Sequence, residues 1–391
     1  MDLFEKCYET NNAKLMRDAG LYLYFHEMNS RQDAVVMMEG KRKIMLGSNN
    51  YLGLTSNPEL VEVGIHALEK YGTGCGGSRI LNGTMELHTE LENEIASFLH
   101  KEDAIVFAAG FQTNVGIISS LVGLHDYVIS DKENHASIYD GCRLSNGKML
   151  TYKHSDMQDL EIQLQKVPET SGCLIVTDGV FSMGGDIAKL PEICALAKKY
   201  GARVMVDDAH ALGVIGVGGR GTASHFGLED QVDIIMGTLS KSLASIGGYV
   251  AGDAQVVDYI KNQARSFMFA TGLPPVNTAI ALAALRHIEA HPEIVQKLMD
   301  LAYYARESFR RKDVPTIKSS TPIIPVLTYD TLGTLSKASK CFQNGVYINA
   351  VLPPACAEGM GLLRASCMAT LTKPLIDEAT DIIADVVLYD E

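Results

Sequence analysis

The sequence lacks any hydrophobic run long enough to cross a membrane, and it also lacks repetitive or low-complexity tracts. Its longest apolar stretches fall well short of the roughly 20 residues that a transmembrane helix needs. The N-terminal segment MDLFEKCYETNNAKLMRDAG mixes acidic and basic side chains and has no apolar core of a secretory signal. Because 47% of the residues are apolar and 21% are charged, we expect a globular protein, located in the cytoplasm.

Basic residues are scarce relative to acidic ones. The chain has 34 lysine and arginine residues against 47 aspartate and glutamate residues, and its formal net charge is −13. A surface that binds nucleic acid needs the opposite balance, so we exclude a nucleic-acid partner. An anionic ligand must therefore be held by local donors against an unfavourable overall field.

No pair of cysteines has the C-x-x-C spacing of a zinc or redox motif. The sequence therefore predicts neither a metal site nor a disulfide framework. We expect the eight cysteines to be reduced and mostly buried as small apolar side chains: Cys7, Cys75, Cys142, Cys173, Cys194, Cys341, Cys356 and Cys367.

The chain does contain a regular alternation of strands and helices. Segments rich in valine and isoleucine, such as DAIVFAAG, DYVISD and CLIVTDGVFS, alternate with amphipathic helical segments. This pattern is typical of a mostly parallel sheet with helices on both faces. Later in the chain, long helices and short strands indicate a small α+β domain. We predict an N-terminal segment over residues 1–50, a large domain over 51–290 and a small C-terminal domain over 291–391.

Polar and glycine residues collect where the predicted strands end. In parallel sheets, ligands bind beyond the carboxyl ends of the strands. The sequence therefore predicts a functional site at this edge of the sheet, and six residues are its first candidates: Gly110, His135, Ser182, Asp207, His210 and Lys241.

Lys241 follows a predicted buried strand in the segment DIIMGTLSKS. A lone lysine at such a place commonly extends its amine into water. Here the hydroxyls of Thr238 and Ser240 lie beside it in sequence, and small neighbours allow a phosphate to approach. A desolvated lysine near other donors can also form a Schiff base with a carbonyl compound.

Asp207 and His210 lie at the end of the strand in VMVDDAHALG. Asp207 could cap the next helix, and His210 could be a hydrogen-bonded core residue. Alternatively, the carboxylate could pair with a pyridinium nitrogen and keep that nitrogen protonated. His210 could then orient a hydroxyl group on the same ring.

Two further segments suggest a phosphate site and an aromatic stacking partner. In AAGFQTN, the backbone N–H groups of Gly110 and Phe111 would begin a helix and could bind a phosphate. In ENHASIYDG, the imidazole of His135 could stack on a flat ring, or it could cap the helix that follows. Each segment taken alone is weak support for a site.

Six motifs taken together resemble the α-oxoamine synthases, which are pyridoxal-phosphate enzymes of the aspartate-aminotransferase fold, fold type I. The resemblance covers almost the whole chain, through the segments SNNYLGL, GTGCGGSRILNGT, NHASIYDG, DGVFSMGGD, VDDAHALG and TLSKS. It implies an α/β fold with a seven-stranded, mostly parallel sheet. It also implies a homodimer with shared active sites and pyridoxal 5'-phosphate as the cofactor.

The resemblance further implies roles for individual residues. Lys241 would hold the cofactor covalently and move protons on the substrate α-carbon, and Asp207 would pair with the pyridine nitrogen. His210 would contact the ring hydroxyl and His135 would stack on the ring. The remaining positions would bind the phosphate (Gly110, Phe111, Thr238, Ser240 and, from the other subunit, Thr271), lie near the ring hydroxyl (Ser182) or hold the amino-acid carboxylate (Asn49 and Arg364).

Segments outside these motifs, including VYINAVLPPAC, most resemble the branch that condenses L-serine with palmitoyl-CoA and releases CoA and CO2. Two alternatives within the family are an enzyme that joins glycine to acetyl-CoA and one that makes 8-amino-7-oxononanoate. A catalytically inactive partner subunit is a third, which the presence of Lys241, Asp207 and His210 disfavours. Long-chain substrates and products imply transient contact with a membrane surface.

Overall fold

The computed structural model describes residues 2–9 and 11–389, which form fifteen α-helices, three short 3-10 helices and thirteen strands. The helices are α1 Glu5–Tyr8, α2 Asn12–Asp18, α3 Pro58–Tyr71, α4 Glu86–Phe98, α5 Gly110–Leu121, α6 Ala136–Leu144, α7 Met157–Leu164, α8 Leu190–Tyr200, α9 Thr222–Phe226, α10 Ala254–Gln263, α11 Arg265–Met268, α12 Pro275–Ala290, α13 Glu293–Arg311, α14 Thr331–Gln343 and α15 Lys373–Leu388. The strands are β1 Val35–Met38, β2 Lys41–Met45, β3 Asp103–Phe107, β4 Tyr127–Asp131, β5 Lys148–Tyr152, β6 Cys173–Asp178, β7 Arg203–Asp207, β8 Ile234–Thr238, β9 Gly248–Gly252, β10 Ile323–Tyr329, β11 Val346–Tyr347, β12 Asn349–Val351 and β13 Gly361–Ser366. Among the described helices, none is both long enough and apolar enough to span a bilayer.

Seven strands form the central sheet, in the order β3-β9-β8-β7-β6-β4-β5. The adjacent strands from β8 to β5 are parallel, and β9 runs antiparallel to both β3 and β8. Side chains of β3 alternate between two core clusters, since Val106 joins one and Ile105 joins the other. Both faces are therefore covered, and the predicted seven-stranded, mostly parallel α/β sheet is confirmed.

Helix α3 illustrates how local sequence sets an element's bounds. Asn57 caps the helix, because its Oδ1 accepts a hydrogen bond from the N–H of Glu59 at 2.8 Å. Pro58 occupies the first turn, where no N–H is needed, and the helix ends before Gly72. Asn57, Pro58 and Gly72 thus set the bounds of this helix.

Strands β1 and β2 form a hairpin, and β11 pairs with β2 in parallel. Glu39 and Gly40 both have positive φ, as a tight two-residue hairpin turn requires. The buried Lys43 donates from Nζ to the carbonyl of Phe342, at the end of α14, and lies 4.3 Å from the Phe342 ring centroid. The beginning of the chain thus packs directly against its last quarter, and the predicted three-part domain division stays a prediction.

A second small sheet, in the order β10-β13-β12, forms the core of the C-terminal part. All three strands are antiparallel, and every residue of the central strand β13 is buried. Arg364 lies on β13, opposite Pro325 on one side and Asn349 on the other. This sheet therefore fixes a buried guanidinium on a rigid strand.

Candidate active site

A cavity of about 210 Å³ lies at the carboxyl ends of β6, β7 and β8. The last residues of these three strands, Asp178, Asp207 and Thr238, all line it. Eight of the residues predicted from sequence lie on its wall: Gly110, Phe111, His135, Asp207, His210, Thr238, Ser240 and Lys241. These residues therefore come together at the carboxyl ends of the strands, as the sequence predicts.

Lys241 follows β8 and points its amine into this cavity, where its environment weakens its positive charge. Burial, and then the charge of Arg364, lower the pKa of Lys241 to about 8, while Asp207 and Asp178 act in the opposite direction. A free amine is therefore present in an appreciable fraction near neutral pH. Such an amine can attack a carbonyl carbon and can accept a proton.

Asp207 is buried and is held in place by two donors. Its Oδ2 accepts from Nδ2 of Asn114 at 2.7 Å, and its Oδ1 accepts from the N–H of Ala209 at 3.0 Å. These two donors fix the orientation of the carboxyl group. Asp207 can therefore present a fixed negative charge to a cationic group in the cavity.

Asp178 lies next to Asp207 in the register of β6 and β7. Burial, and next the charge of Asp207, raise the pKa of Asp178 well above its usual range. Among the described residues, its buried Oδ1 has no hydrogen-bond partner. The cavity thus holds two carboxyl groups side by side, and Oδ1 of Asp178 can contact a polar group of a ligand.

His210 and Arg364 are connected by Tyr51. Oη of Tyr51 lies 2.7 Å from Nδ1 of His210 and accepts from Nη2 of Arg364 at 3.3 Å. Burial, and then the positive charges of Lys241 and Arg364, lower the pKa of His210 well below its usual value. His210 is therefore disfavoured as an imidazolium, and its Nδ1 shares a hydrogen bond with Oη of Tyr51.

Arg364 is buried and does not itself line this cavity, and no carboxylate of the described residues pairs with it. It donates from Nε to the carbonyl of Ser182 and from Nη1 to Oγ of Ser366 at 2.8 Å. Ser182 therefore contributes its backbone oxygen to the site. A buried guanidinium that has only neutral partners is suited to bind an incoming carboxylate.

His135 caps helix α6 at the mouth of the cavity. Its Nδ1 accepts from the N–H of Ser137 at 3.3 Å, and Oγ of Ser137 accepts from Asn114, which also holds Asp207. Loss of water around the ring lowers the pKa of His135, Asp207 opposes this effect, and Lys241 adds to it. The ring is thus neutral, and its orientation is fixed relative to Asp207.

The N-terminus of α5 provides an anion site at the other end of the cavity. Ala109 precedes the helix and offers no side-chain cap, so the first N–H groups need a ligand or water. Oγ1 of Thr238 lies beside it, 2.8 Å from Oγ of Ser240. A Cβ on Gly110 would come within 3.0 Å of that Thr238 oxygen, so a larger residue would close the site.

Thr271 and Asn49 do not line this cavity. Thr271 is exposed and forms an isolated bridge with Ser78. Asn49 lies in the loop after β2, and its buried Oδ1 has no partner among the described residues. Within one chain, therefore, the site is built without these two residues.

The sequence also matches the model of a known protein family over most of its length. The model of the class I and II aminotransferases matches residues 41–383. This chain belongs to the class I and II aminotransferase family. The aspartate-aminotransferase fold that the motifs imply is therefore confirmed.

Serine palmitoyltransferases are prominent among the relatives of this aminotransferase-family chain. The one from Sphingobacterium spiritivorum is 47% identical over 379 residues, covering 97% of this chain and 95% of that protein. The one from Bacteroides thetaiotaomicron is 48% identical over 362 residues, covering 93% and 92%. A variant serine palmitoyltransferase from S. paucimobilis, solved with a bound PLP–myriocin aldimine, has a TM-score of 0.95 at 34% identity and covers 99% and 98%. The 8-amino-7-oxononanoate synthase of Thermoanaerobacter pseudethanolicus is 42% identical over 365 residues, covering 93% and 92%.

Sequence reasoning missed three residues of this aminotransferase-family site: Tyr51, Asn114 and Asp178. Asp178 carried a usable signal, since VTDG ends β6 as VMVDD ends β7, and neighbouring parallel strands end at the same edge. No sequence signal indicated the contact of Tyr51 with His210, because 159 residues separate them. Among the described residues, no cluster of side chains is arranged to hold a metal ion.

Proposed function

We propose that this chain is a serine palmitoyltransferase, a pyridoxal-phosphate-dependent acyltransferase that condenses L-serine with palmitoyl-CoA and releases CoA and CO2. The product is 3-oxosphinganine, the first long-chain base of sphingolipid synthesis. One observation carries the proposal: an amine of lowered pKa, a fixed carboxylate and an anion site line one cavity, and Tyr51 connects the cavity residue His210 to a buried guanidinium that has no protein carboxylate. The relatives supply the substrate pair.

The cavity fits pyridoxal phosphate on its own chemistry. The uncapped start of α5, with Thr238 and Ser240, would hold the phosphate, and Gly110 leaves room for it. Asp207 would pair with the ring nitrogen, and Lys241 would hold the aldehyde carbon covalently. When bound, this cofactor withdraws electrons from the α-carbon of the attached amino acid.

The chain's own residues then direct the reaction. Lys241 can remove the proton from the α-carbon of L-serine and later return one, because burial lowers its pKa to about 8. Asp207 would keep the nitrogen of the bound ring charged through its fixed carboxylate. His210 can form a hydrogen bond with the ring hydroxyl through Nε2, and His135 can cover one face of the ring.

Arg364 has a separate task in this proposal. It holds the carboxylate of L-serine while the new carbon–carbon bond forms, so that CO2 is lost only afterwards. Two parallel N–H donors suit a carboxylate, and the contacts to Ser182, Ser366 and Tyr51 fix the plane of the guanidinium.

We expect Arg364→Lys to raise the KM for L-serine roughly 10- to 100-fold, because a lysine cannot make the paired hydrogen bonds. Steady-state kinetics at saturating palmitoyl-CoA measures this change. Arg203→Lys, on the opposite edge of the sheet, is the control and should leave the KM unchanged. An unaltered KM in the Arg364 variant would remove it from the carboxylate site.

We also propose a homodimer with shared sites. Phe111 lines the cavity with 47% of its surface exposed, and Phe269 is 75% exposed two residues before Thr271. A second copy covering these rings would bring Thr271 to the partner's phosphate site. Sedimentation as a monomer under assay conditions would exclude this arrangement.

Contact with a membrane surface is a further part of the proposal. Leu3, Phe4 and Phe25 are exposed in the N-terminal segment, and the acyl chain of the substrate partitions into lipid. Failure to co-sediment with lipid vesicles would argue against such contact.

The experiment that tests the reaction gives the purified holoprotein L-serine, glycine or L-alanine, each with acetyl-CoA or palmitoyl-CoA. We expect the absorbance of the bound cofactor to change with L-serine. We also expect a product of the mass of 3-oxosphinganine only from L-serine with palmitoyl-CoA. A response to glycine alone would contradict the proposal and favour the glycine-using alternative.

A further inference from the structure

His154 lies in the loop between β5 and α7, outside the cavity, and both of its ring nitrogens face carboxylates. Nδ1 is 3.0 Å from Oδ1 of Asp131, and Nε2 is 3.1 Å from Oδ2 of Asp186. A third carboxylate, that of Glu133, lies 3.7 Å from Nε2. A ring donates from both nitrogens only as an imidazolium, so His154 carries a positive charge.

The environment of His154 maintains that charge. Burial of the ring works against it, but the hydrogen bonds to Asp131 and Asp186 outweigh burial and raise the pKa of His154 to about 10. The ring also packs edge-on against Phe181, with centroids 4.4 Å apart. Contacts on both nitrogens and on the ring therefore fix its position.

The two main partners of His154 belong to different parts of the fold. Asp131 ends β4, is fully buried, and also accepts from the N–H groups of Glu133 at 2.8 Å and Ser155 at 2.9 Å. Asp186 ends the loop 181–186, which follows β6. His154 thus connects this loop to the rigid end of the central sheet.

The loop 181–186 carries the carbonyl that binds Arg364. The N–H of Phe181 donates to the carbonyl of Asp186 at 2.9 Å, so Asp186 and Ser182 belong to one hydrogen-bonded turn. Ser182 directly follows Phe181 in the chain, and its carbonyl accepts a hydrogen bond from Nε of Arg364. His154 therefore contacts Asp186, Asp186 belongs to the same turn as Ser182, and Ser182 contacts the guanidinium.

We infer that His154 is a positioning residue for the substrate carboxylate: through Asp186 and the loop 181–186, it places the Ser182 carbonyl that orients Arg364. The inference rests on the proposed function, because it requires Arg364 to bind the carboxylate of the amino acid. His154 itself touches neither the cavity nor the reacting atoms.

The test uses the holoprotein and measures the dissociation constants of two ligands from the absorbance of the bound cofactor. One ligand is L-serine, and the other is 2-aminoethanol, which differs from it only by lacking the carboxylate. The variants are His154→Gln, Asp186→Asn and the combination of both. Glu133→Gln is the matched control for Asp186→Asn. It also changes an acid to an amide beside the His154 ring, but it lies outside the loop 181–186.

We expect either single variant to raise the dissociation constant of L-serine roughly five- to 30-fold. The dissociation constant of 2-aminoethanol should change less than about twofold. The double variant should be no weaker than the worse single variant, because both substitutions break the same contact. Glu133→Gln should bind both ligands as the wild type does. If His154→Gln fails to fold, Asp186→Asn carries the same comparison.

Equal weakening of both ligands, or unchanged L-serine binding in the two single variants, would overturn the inference while the proposed function stands. A wild-type holoprotein that shows no spectral response to any amino acid would overturn the proposed function and this inference together. The two failures are thus distinguished within one set of titrations.

Discussion

Lys241→Ala is expected to lower turnover of L-serine and palmitoyl-CoA by about a thousandfold or more, because one amine both holds the cofactor and transfers the α-proton. The structure offers no substitute amine: among the described residues that line the cavity, Lys241 is the only lysine. Product formation measured by mass over long incubations tests this expectation.

Lys241→Arg is the matched variant for this prediction. It keeps a positive charge beside Asp207 but removes the amine of lowered pKa. If Lys241 acted only through its charge, the arginine variant would retain much of the activity. We expect it to be as inactive as the alanine variant.

A second readout does not depend on activity. Borohydride treatment of the wild-type protein, followed by peptide mass spectrometry, should find a reduced pyridoxyl group on the peptide that contains Lys241. The same treatment of Lys241→Ala should leave no labelled peptide. A label on any other lysine of the wild type would assign the covalent role to that residue.

Asp207→Asn is expected to slow turnover roughly 100- to 1000-fold, because an amide cannot stabilise a charged ring nitrogen in a buried site. The substitution is nearly isosteric, and its oxygen can still accept from Asn114. Exchange of the α-proton of L-serine in deuterated water, followed by NMR, isolates the step that should slow. Retention of the cofactor, followed by absorbance, should change far less.

The neighbouring residue provides the control. Asp208 is also buried, but it accepts from the N–H of Thr222 at 2.9 Å and does not line the cavity. Burial raises the pKa of Asp208 to about 7, so an amide is a mild change there. Asp208→Asn should exchange the α-proton at nearly the wild-type rate. Equal losses in the two variants would show that Asp207 acts only through packing.

The fold could be predicted from sequence wherever local pattern determines the element. Helix α3 begins after the capping residue Asn57 and ends before Gly72. Strands β6 and β8 are rich in apolar residues, which indicates burial on both faces of the sheet. The placement of Asp207 follows as well, since parallel strands end at a common edge. These features need no knowledge of distant contacts.

Features that depend on distant packing could not be predicted in this way. Ser182 and Arg364 are 182 residues apart, and only the packing of the C-terminal sheet on the loop 181–186 brings the carbonyl to the guanidinium. The pairing of His154 with Asp186 likewise depends on that loop's path.

The packing of β2 against α14 and β11 has a consequence for biosynthesis. Lys43 and its acceptor Phe342 are separated by 299 residues, so a ribosome working at usual speeds needs roughly 15–60 s to deliver the partner. Throughout that interval the open edge of the first hairpin can pair with another nascent chain. A pause in translation before residue 342 should therefore increase aggregation more than the same pause placed after it.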